Sequence, residues 1–265
     1  MTPISVVIIA KNEADVIANC ISRAMLITDD IVVIDNGSTD ATVSIARAYG
    51  CNVHHSNRQS YGANKNKAIE LAKYNWILSL DADELPDTEL INSIRHVDLE
   101  DIGVAYDIKF KSYYGDKQIR FGSWGRDHHV RLFNRRLVKW SEPQVHETLI
   151  MPKQMAKQRL QGYLHHYSVK GGEECMDKAV YYAKLSAQKY FMTGKKAGFV
   201  NLYLSPAFSF LMTYIVFMGF LDGKEGLEIS RSIMKNKQLK YQYLEQMEQV
   251  YGSNQFVQSN FTVEF

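Results

Sequence analysis

Asp81-Ala82-Asp83 follows directly on Trp76-Ile77-Leu78-Ser79-Leu80, a short apolar run that reads as a buried strand. Two carboxylates so placed are poorly suited to packing, and they repel each other unless a cation or hydrogen-bond donors lie between them. Hard divalent cations take oxygen ligands and bridge one or two carboxylates to substrate phosphates. The chemistry these residues offer is therefore the handling of a metal and a diphosphate. A bare Asp-x-Asp occurs by chance on many surfaces, so its weight comes from the elements around it.

Those elements alternate. Ile4 to Ala10 is a near-continuous apolar run, as expected of a strand covered on both faces. Asn12-Glu13-Ala14-Asp15 follows, then helical spacing through Val16, Ile17, Cys20, Ile21 and Ala24. Ile31 to Ile34 reads as a second buried strand ending in Asp35-Asn36-Gly37-Ser38-Thr39-Asp40. Ser38 or Thr39 is expected to cap the next helix, which runs through Val43, Ile45 and Ala46 to Gly50. A short strand at 52–54, a helix from Tyr61 to Tyr74 and the strand before Asp81 complete the series. Strands alternating with helices imply right-handed crossovers and a mainly parallel sheet, an α/β fold.

In open α/β sheets ligands sit outside the carboxyl ends of the strands. Asn12 and Glu13, Asp35 to Asp40, and Asp81 to Asp83 all follow strands, so they are expected on one rim. Helix caps account for Ser38 and Thr39 but not for three carboxylates. There is no Gly-x-Gly-x-x-Gly and no Walker loop, which disfavours a dinucleotide-binding domain and a P-loop NTPase. A formal net charge of +2 is too small to indicate a nucleic-acid partner. Cys20, Cys51 and Cys175 show neither metal-finger nor disulfide spacing, so a reducing compartment is expected. The N-terminal residues lack a signal peptide's basic start and cleavage site, and a cytoplasmic location is the expectation.

Three ordered segments, Ser5 to Glu13, Val33 to Asp40 and Leu80-Asp81-Ala82-Asp83-Glu84, closely resemble family 2 glycosyltransferases of GT-A fold. The resemblance covers roughly residues 1–170. It implies that the first two segments, with Ala10, Asn12, Glu13 and Ser38, contact the nucleotide of a UDP-sugar and that Asp35 holds its base. Asp81 and Ala82 would then lie near the ribose or donor sugar, and Asp83 would ligate Mg²⁺ or Mn²⁺. Lys65 stands where relatives often carry an arginine; the alternative is a solvated lysine. Trp124-Gly125-Arg126, Arg131-Leu132-Phe133, Val145-His146-Glu147 and Gly219 to Gly223 are similar to bacterial lipopolysaccharide-core glycosyltransferases that add β-glucose to inner-core heptose.

An inverting sugar transfer needs stabilisation of the leaving diphosphate and a base for the acceptor hydroxyl. Glu147 is the choice for the base, because it lies where the family places one; Glu142 and Asp127 compete. Glu142 precedes Pro143 and suits an exposed turn, and Asp127 has Arg126 and Arg131 as possible partners. His165 and His166 point to opposite faces of a strand. By the resemblance His166 is a further metal or diphosphate ligand, against the alternative of an ordinary bonded histidine. His128 and His129 are an ambiguous pair. Arg131 is read as a phosphate grip, whereas Arg135 and Arg136 are read as solvated.

Residues 1–170 are thus expected to form the catalytic domain, with 1–100 binding the nucleotide-sugar and 101–170 supplying the acceptor side. Residues 171–265 form a helical region. Glu173 to Phe191 and Leu227 to Val250 have helical spacing, and Gly252 to Phe265 reads as an interaction tail. Phe199 to Leu221 holds no charged residue and is flanked by Lys195, Lys196 and Lys224. Its aromatics suit a membrane interface, with the enzyme peripheral on the inner face of the cytoplasmic membrane; packing on the catalytic domain or in a homo-oligomer is the alternative. The expected partners are a UDP-sugar and a lipid-anchored oligosaccharide acceptor. The competing functions are a nucleotidyltransferase, disfavoured because Ala10-Lys11-Asn12-Glu13 lacks a glycine, and a catalytically silent scaffold of the same fold.

Overall fold

The computed structural model describes residues 3–58, 60–142 and 147–251. Val145, His146 and the tail from Gly252 to Phe265 lie outside the described residues. The first half alternates β1 (Ile4–Ala10), α1 (Ile17–Ala24), β2 (Ile31–Asp35), α2 (Thr42–Ala48), β3 (Asn52–His55), α3 (Tyr61–Leu71) and β4 (Trp76–Asp81). β1 pairs in parallel with β2 on one side and β4 on the other, and β3 joins β2 in parallel. Residues of β1 alternate between layers. Ile4, Val6 and Ile8 pack with Ile17, Cys20 and Ile21 of α1, while Val7 packs with Ala68 and Ile69 of α3. Both faces are covered, which is why these strands read as unbroken apolar runs.

The second half contains β5 (Glu84–Pro86), α4 (Thr88–Arg95), β6 (Val104–Tyr114), β7 (Lys117–Gln118), β8 (His128–Asn134), β9 (Lys139–Trp140), β10 (Leu149–Ile150) and β11 (Ala156–Val169). The main sheet runs β3-β2-β1-β4-β8-β6-β11-β5, with β7 beside β6, and β9 with β10 forms a separate pair. β8 is antiparallel to both β4 and β6, and β11 is parallel to β6 but antiparallel to β5. The sheet is parallel in its first half and mixed as a whole. Strand order reverses between β1 and β4, the position where α/β sheets bind ligands. The two loops at that point carry Asn12-Glu13 and Asp81-Ala82-Asp83.

The C-terminal region comprises α5 (Gly172–Met192), α6 (Ser205–Leu211) between π-helical turns at Val200–Leu204 and Met212–Val216, a 3₁₀ turn at Gly219–Asp222, and α7 (Gly223–Tyr251). Ala187 of α5 packs against Leu244 and Met247 of α7. Tyr114, Val169, Cys175 and Ile229 join this layer to the sheet. A Cβ at Gly226 would lie 1.9 Å from the Gly219 carbonyl oxygen, so only glycine allows this approach. The three cysteines are free.

Two local expectations need correction. α3 ends at Leu71 rather than Tyr74, because Ala72 is extended. Arg135 is not merely solvated. Its Nη1 donates to the Ile69 and Ala72 carbonyls (2.8 Å each) and its Nε to Asn75 Oδ1 (3.1 Å), closing the orphaned end of α3. Arg136 is exposed, as expected.

Candidate active site

The loops after β1 and β2 clasp each other. Asn12, at φ 56°, accepts from the Thr39 amide through Oδ1 (2.8 Å), and its own amide donates to Ser38 Oγ (2.9 Å). The amides of Glu13 and Ala14 donate to Thr42 Oγ1 (2.8 Å) and Asp40 Oδ2 (3.1 Å). Ser38 and Thr39 therefore do not cap α2. The N-cap position is Ala41, which offers no side-chain cap; Asp40, just before it, accepts from the Thr42 amide through Oδ1 at 3.0 Å, and the Ser38 hydroxyl is occupied across the loop. Asp35 is buried, and its carboxylate accepts from the amides of Gly37 (3.2 Å) and Ser38 (3.1 Å) and pairs with His55 Nδ1 (2.9 Å). Burial alone would raise its pKa, but these donors outweigh it and hold the carboxyl below its ordinary range. Asn12, Asp35 and Ser38 shape the rim, whereas Ala10, Glu13 and Asn36 line the cleft itself.

That cleft has a volume of about 1380 Å³ and is bordered by Lys65, Asp81, Ala82, Asp83, Arg131, Glu147 and His166. Its centre is a network of charges. Asp81 Oδ2 accepts from Arg131 Nη2 at 3.1 Å, and Asp81 Oδ1 pairs with Lys65 Nζ at 3.2 Å. Arg131 also binds Glu84, whose other oxygen accepts from the Asp81 amide at 3.0 Å. Lys65 reaches on to Glu147 Oε1 at 3.0 Å and lies 4.5 Å from the Trp140 ring centroid. Lys65 is 3% exposed and Glu84 1%, so neither is a surface charge and the solvated reading of Lys65 does not hold. Burial would raise the pKa of Asp81, but Lys65 and then Arg131 overcome it and hold the carboxyl well below the usual range. Burial raises that of Glu84, with Arg131 opposing.

Strand register builds this network. Leu78 of β4 faces Leu132 of β8, which sets Arg131 beside the end of β4. His166 of β11 faces Glu84 of β5, which brings its ring to the Asp-x-Asp turn, with Nε2 3.3 Å from Asp83 Oδ2. Burial would lower the His166 pKa, but the hydrogen bond and charge of Asp83 outweigh it and raise it to about 9. His165 faces away, hydrogen-bonded through Nδ1 to the Tyr113 hydroxyl at 2.8 Å. Glu13, near Asp83, is raised to about 7, first by burial and then by the charge of Asp83.

Glu147 is held from two sides. A Cβ at Gly62, in the first turn of α3, would lie 1.9 Å from the Ser141 carbonyl oxygen and 3.2 Å from Glu147 Cβ. Glycine there lets the helix abut the segment carrying Glu147. The two other carboxylates considered for the base differ in placement. Glu142 accepts from Asn66 Nδ2 (2.9 Å) at an exposed position outside the cleft. Asp127 lines the cleft but pairs with His129 Nε2 (2.9 Å), not with Arg126 or Arg131. Further along, Asp107 accepts from His128 Nδ1 (2.8 Å) and Arg159 Nε (2.9 Å), and Lys157, Lys178 and Tyr182 complete a wide, mostly cationic half.

Among the described residues, no group of three or more His, Cys, Asp or Glu side chains is arranged to hold a cation. Asp83 and His166 nevertheless converge on one point of the cleft. A carboxylate oxygen and an imidazole nitrogen relieved of its proton would suit a divalent ion that takes its remaining ligands from substrate phosphates and water. Sequence reasoning assigned no role to Glu84, Trp140, Tyr182 or Asp107. Glu84 alone carried a signal, as the carboxylate directly beside the Asp-x-Asp pair.

Residues 5–156 match the model of the family described as glycosyl transferase family 2. An uncharacterized glycosyltransferase of Rickettsia prowazekii is 30% identical over 85% of this chain and 81% of its own length. A lipopolysaccharide core biosynthesis glycosyltransferase of Rhizobium meliloti is 27% identical over 80% of each chain. Among solved structures, glucosyl-3-phosphoglycerate synthase from Mycobacterium tuberculosis, in complex with Mn²⁺, UDP and glucosyl-3-phosphoglycerate, is 25% identical. That alignment covers 43% of this chain and 44% of the synthase at a TM-score of 0.33, too low to bear on substrate.

Proposed function

The chain belongs to glycosyl transferase family 2, and from that premise we propose an inverting, metal-dependent enzyme that moves a hexose, glucose first among candidates, from a UDP-sugar to an inner-core lipopolysaccharide acceptor. The observation that carries this reading is the convergence of Asp81, Asp83, Lys65, Arg131, His166 and Glu147 on one cleft at the switch point of the sheet. The similarity to a lipopolysaccharide core biosynthesis glycosyltransferase supports the acceptor class.

In this reading the rim formed by the interlocked loops receives the nucleotide, with Ala10, Glu13 and Asn36 facing it. Asp83 and His166 would hold Mg²⁺ or Mn²⁺, which when bound would supply Lewis-acid stabilisation of charge on the leaving diphosphate. Arg131 and Lys65 fix Asp81 at the donor sugar, and their positive charge adjoins the diphosphate. Glu147 takes the proton from the acceptor hydroxyl as that oxygen attacks the anomeric carbon, and Lys65 holds its carboxylate in orientation. The bond to the UDP oxygen breaks as the new glycosidic bond forms, in a single displacement. Lys157, Arg159 and Lys178 give the acceptor half the charge that a phosphorylated saccharide requires.

The test is transfer assayed with a panel of UDP- and GDP-sugars, Mn²⁺ or Mg²⁺, and truncated inner-core lipopolysaccharide. UDP release that depends on acceptor, with a product heavier by one hexose, is expected. Folded protein that turns over no nucleotide-sugar would overturn the reading in favour of a silent scaffold.

A further inference from the structure

The run from Phe199 to Leu221 is built inside out. Its exposed stripe is Val200, Leu204, Phe208, Leu211 and Ile215, at successive spacings of four, four, three and four that keep one helical face. Phe199 and Phe208 are 70% and 61% exposed. The inner face is made by Leu202, Pro206, Thr213 and Gly219, which are buried, and half-buried Ser209 bonds its own helix through the Ser205 and Pro206 carbonyls. A helix on a protein in water shows the opposite arrangement. Contiguous apolar patches rimmed by polar residues mark interaction sites.

We propose that this face inserts into the headgroup and upper acyl region of an anionic lipid surface, lying along it rather than crossing it. Three observations select lipid over a second copy of the chain. The run contains no charged residue, and exposed lysines flank both ends, Lys195 and Lys196 before it and Lys224 after it. Two copies paired face to face by a two-fold axis would oppose basic rim to basic rim, whether the ends matched or crossed. Anionic headgroups complement the same rim. Among the described residues no single helix is long and apolar enough to cross a membrane; Val200–Val216 and Gly219–Tyr251 reach that length and composition only together, as a pair bent by 69°. The charged α7 beyond the bend stays in water, so the apolar stretch lies flat.

The face is tied to the cleft. The Gly122 amide donates to the Phe217 carbonyl at 2.9 Å, and the Arg126 guanidinium lies 4.8 Å from the Phe217 ring centroid. Asp222 accepts from the amides of Arg120 (3.2 Å) and Phe121 (2.8 Å). Trp124 and Asp127 in the same stretch border the cleft. A seated face therefore presents the cleft beside the lipid, whatever sugar is transferred, and the inference does not rest on the donor.

Flotation of the full chain with vesicles of phosphatidylcholine, with and without phosphatidylglycerol, tests this. Wild type is expected to float with the anionic vesicles. The triple variant Leu204→Ser, Phe208→Ser, Leu211→Ser, with unchanged circular dichroism, is expected to remain unbound. Lys195→Glu with Lys196→Glu is expected to weaken anionic binding by on the order of tenfold or more. Wild type that floats with neither vesicle, or the triple variant binding as wild type does, would overturn the proposal. So would light scattering that shows a dimer dissociated by the triple variant in a chain that ignores vesicles.

Discussion

Two regions invert the usual partition of side chains. At the β4 turn, Glu84, Lys65 and Arg131 are withdrawn from water around a half-buried Asp81; along Phe199 to Leu221, phenylalanine, leucine and isoleucine are left in it. Buried charge and exposed apolar surface are the informative departures in a folded protein. The first is internally compensated: each of these charges has an opposite partner within ion-pair distance. The second is not, since none of the described residues covers the stripe. A compensated inversion holds a reacting geometry in place, whereas an uncompensated one calls for a surface from outside.

The sharpest separation of chemistry from stability is at Glu147. Glu147→Gln keeps a partner for Lys65, so kcat is expected to fall by on the order of 10²–10⁴, while the urea midpoint barely moves. Equal activity in this variant would remove Glu147 as the base. Arg131→Met breaks the compensation itself, leaving buried Glu84 without its cation and half-buried Asp81 with one cation fewer; urea unfolding should report a loss of about 3–5 kcal/mol. A loss near zero would mean that the carboxylates relax to water and that the network is not rigid. Gly62→Ala drives a methyl into the Ser141 carbonyl; about 1–3 kcal/mol of destabilisation is expected, with lowered activity because the Glu147 segment must move.

Glu13 gives the pH dependence. Its folded pKa of about 7 lies above the ordinary 4.5 of a glutamate, owing first to burial and then to Asp83, with Asp40 and Glu174 adding and Lys178 opposing. The folded state therefore binds the proton more tightly, and stability falls as pH rises between 4.5 and 7. With allowance for solvent screening the loss is on the order of 1–2 kcal/mol. Thermal unfolding of Glu13→Gln across this window should show a flatter slope than wild type. The smallest effect belongs to the other region. Leu211→Ser, on the exposed stripe, should change stability by no more than about 0.5 kcal/mol; a larger loss would show that the stripe is core after all.

What was legible in the sequence follows the same division. β1, β2 and β4 were readable because strands covered on both faces are continuously apolar, and the carboxylates after them fell on one rim as topology requires. β6 and β8 were not placed, and β11 was read as a strand only around His165 and His166: their sequences mix Lys, Asp, His and Tyr with apolar residues, and their mixed parallel and antiparallel pairing depends on long-range register. Lys65 could not be told from a solvated lysine, because what buries it is Glu147, 82 positions away, and Asp81. His166 was singled out through a family likeness; the register with β5 is what brings it to Asp83. The lack of charge from 199 to 221 was visible, but which side faced outward was not, since periodicity gives a stripe and only packing against α7 gives its direction.

Calorimetric titration of UDP into the full chain, with Mn²⁺ and with EDTA, compared with Asp83→Asn, tests the donor-site assignment most directly. Binding is expected with Mn²⁺, weakened by tenfold or more on chelation or in Asp83→Asn, roughly the worth of one charge-assisted contact. UDP that binds equally well in EDTA and in Asp83→Asn would contradict the proposed metal dependence of binding at Asp83, and no binding to folded protein would contradict the proposed donor site itself.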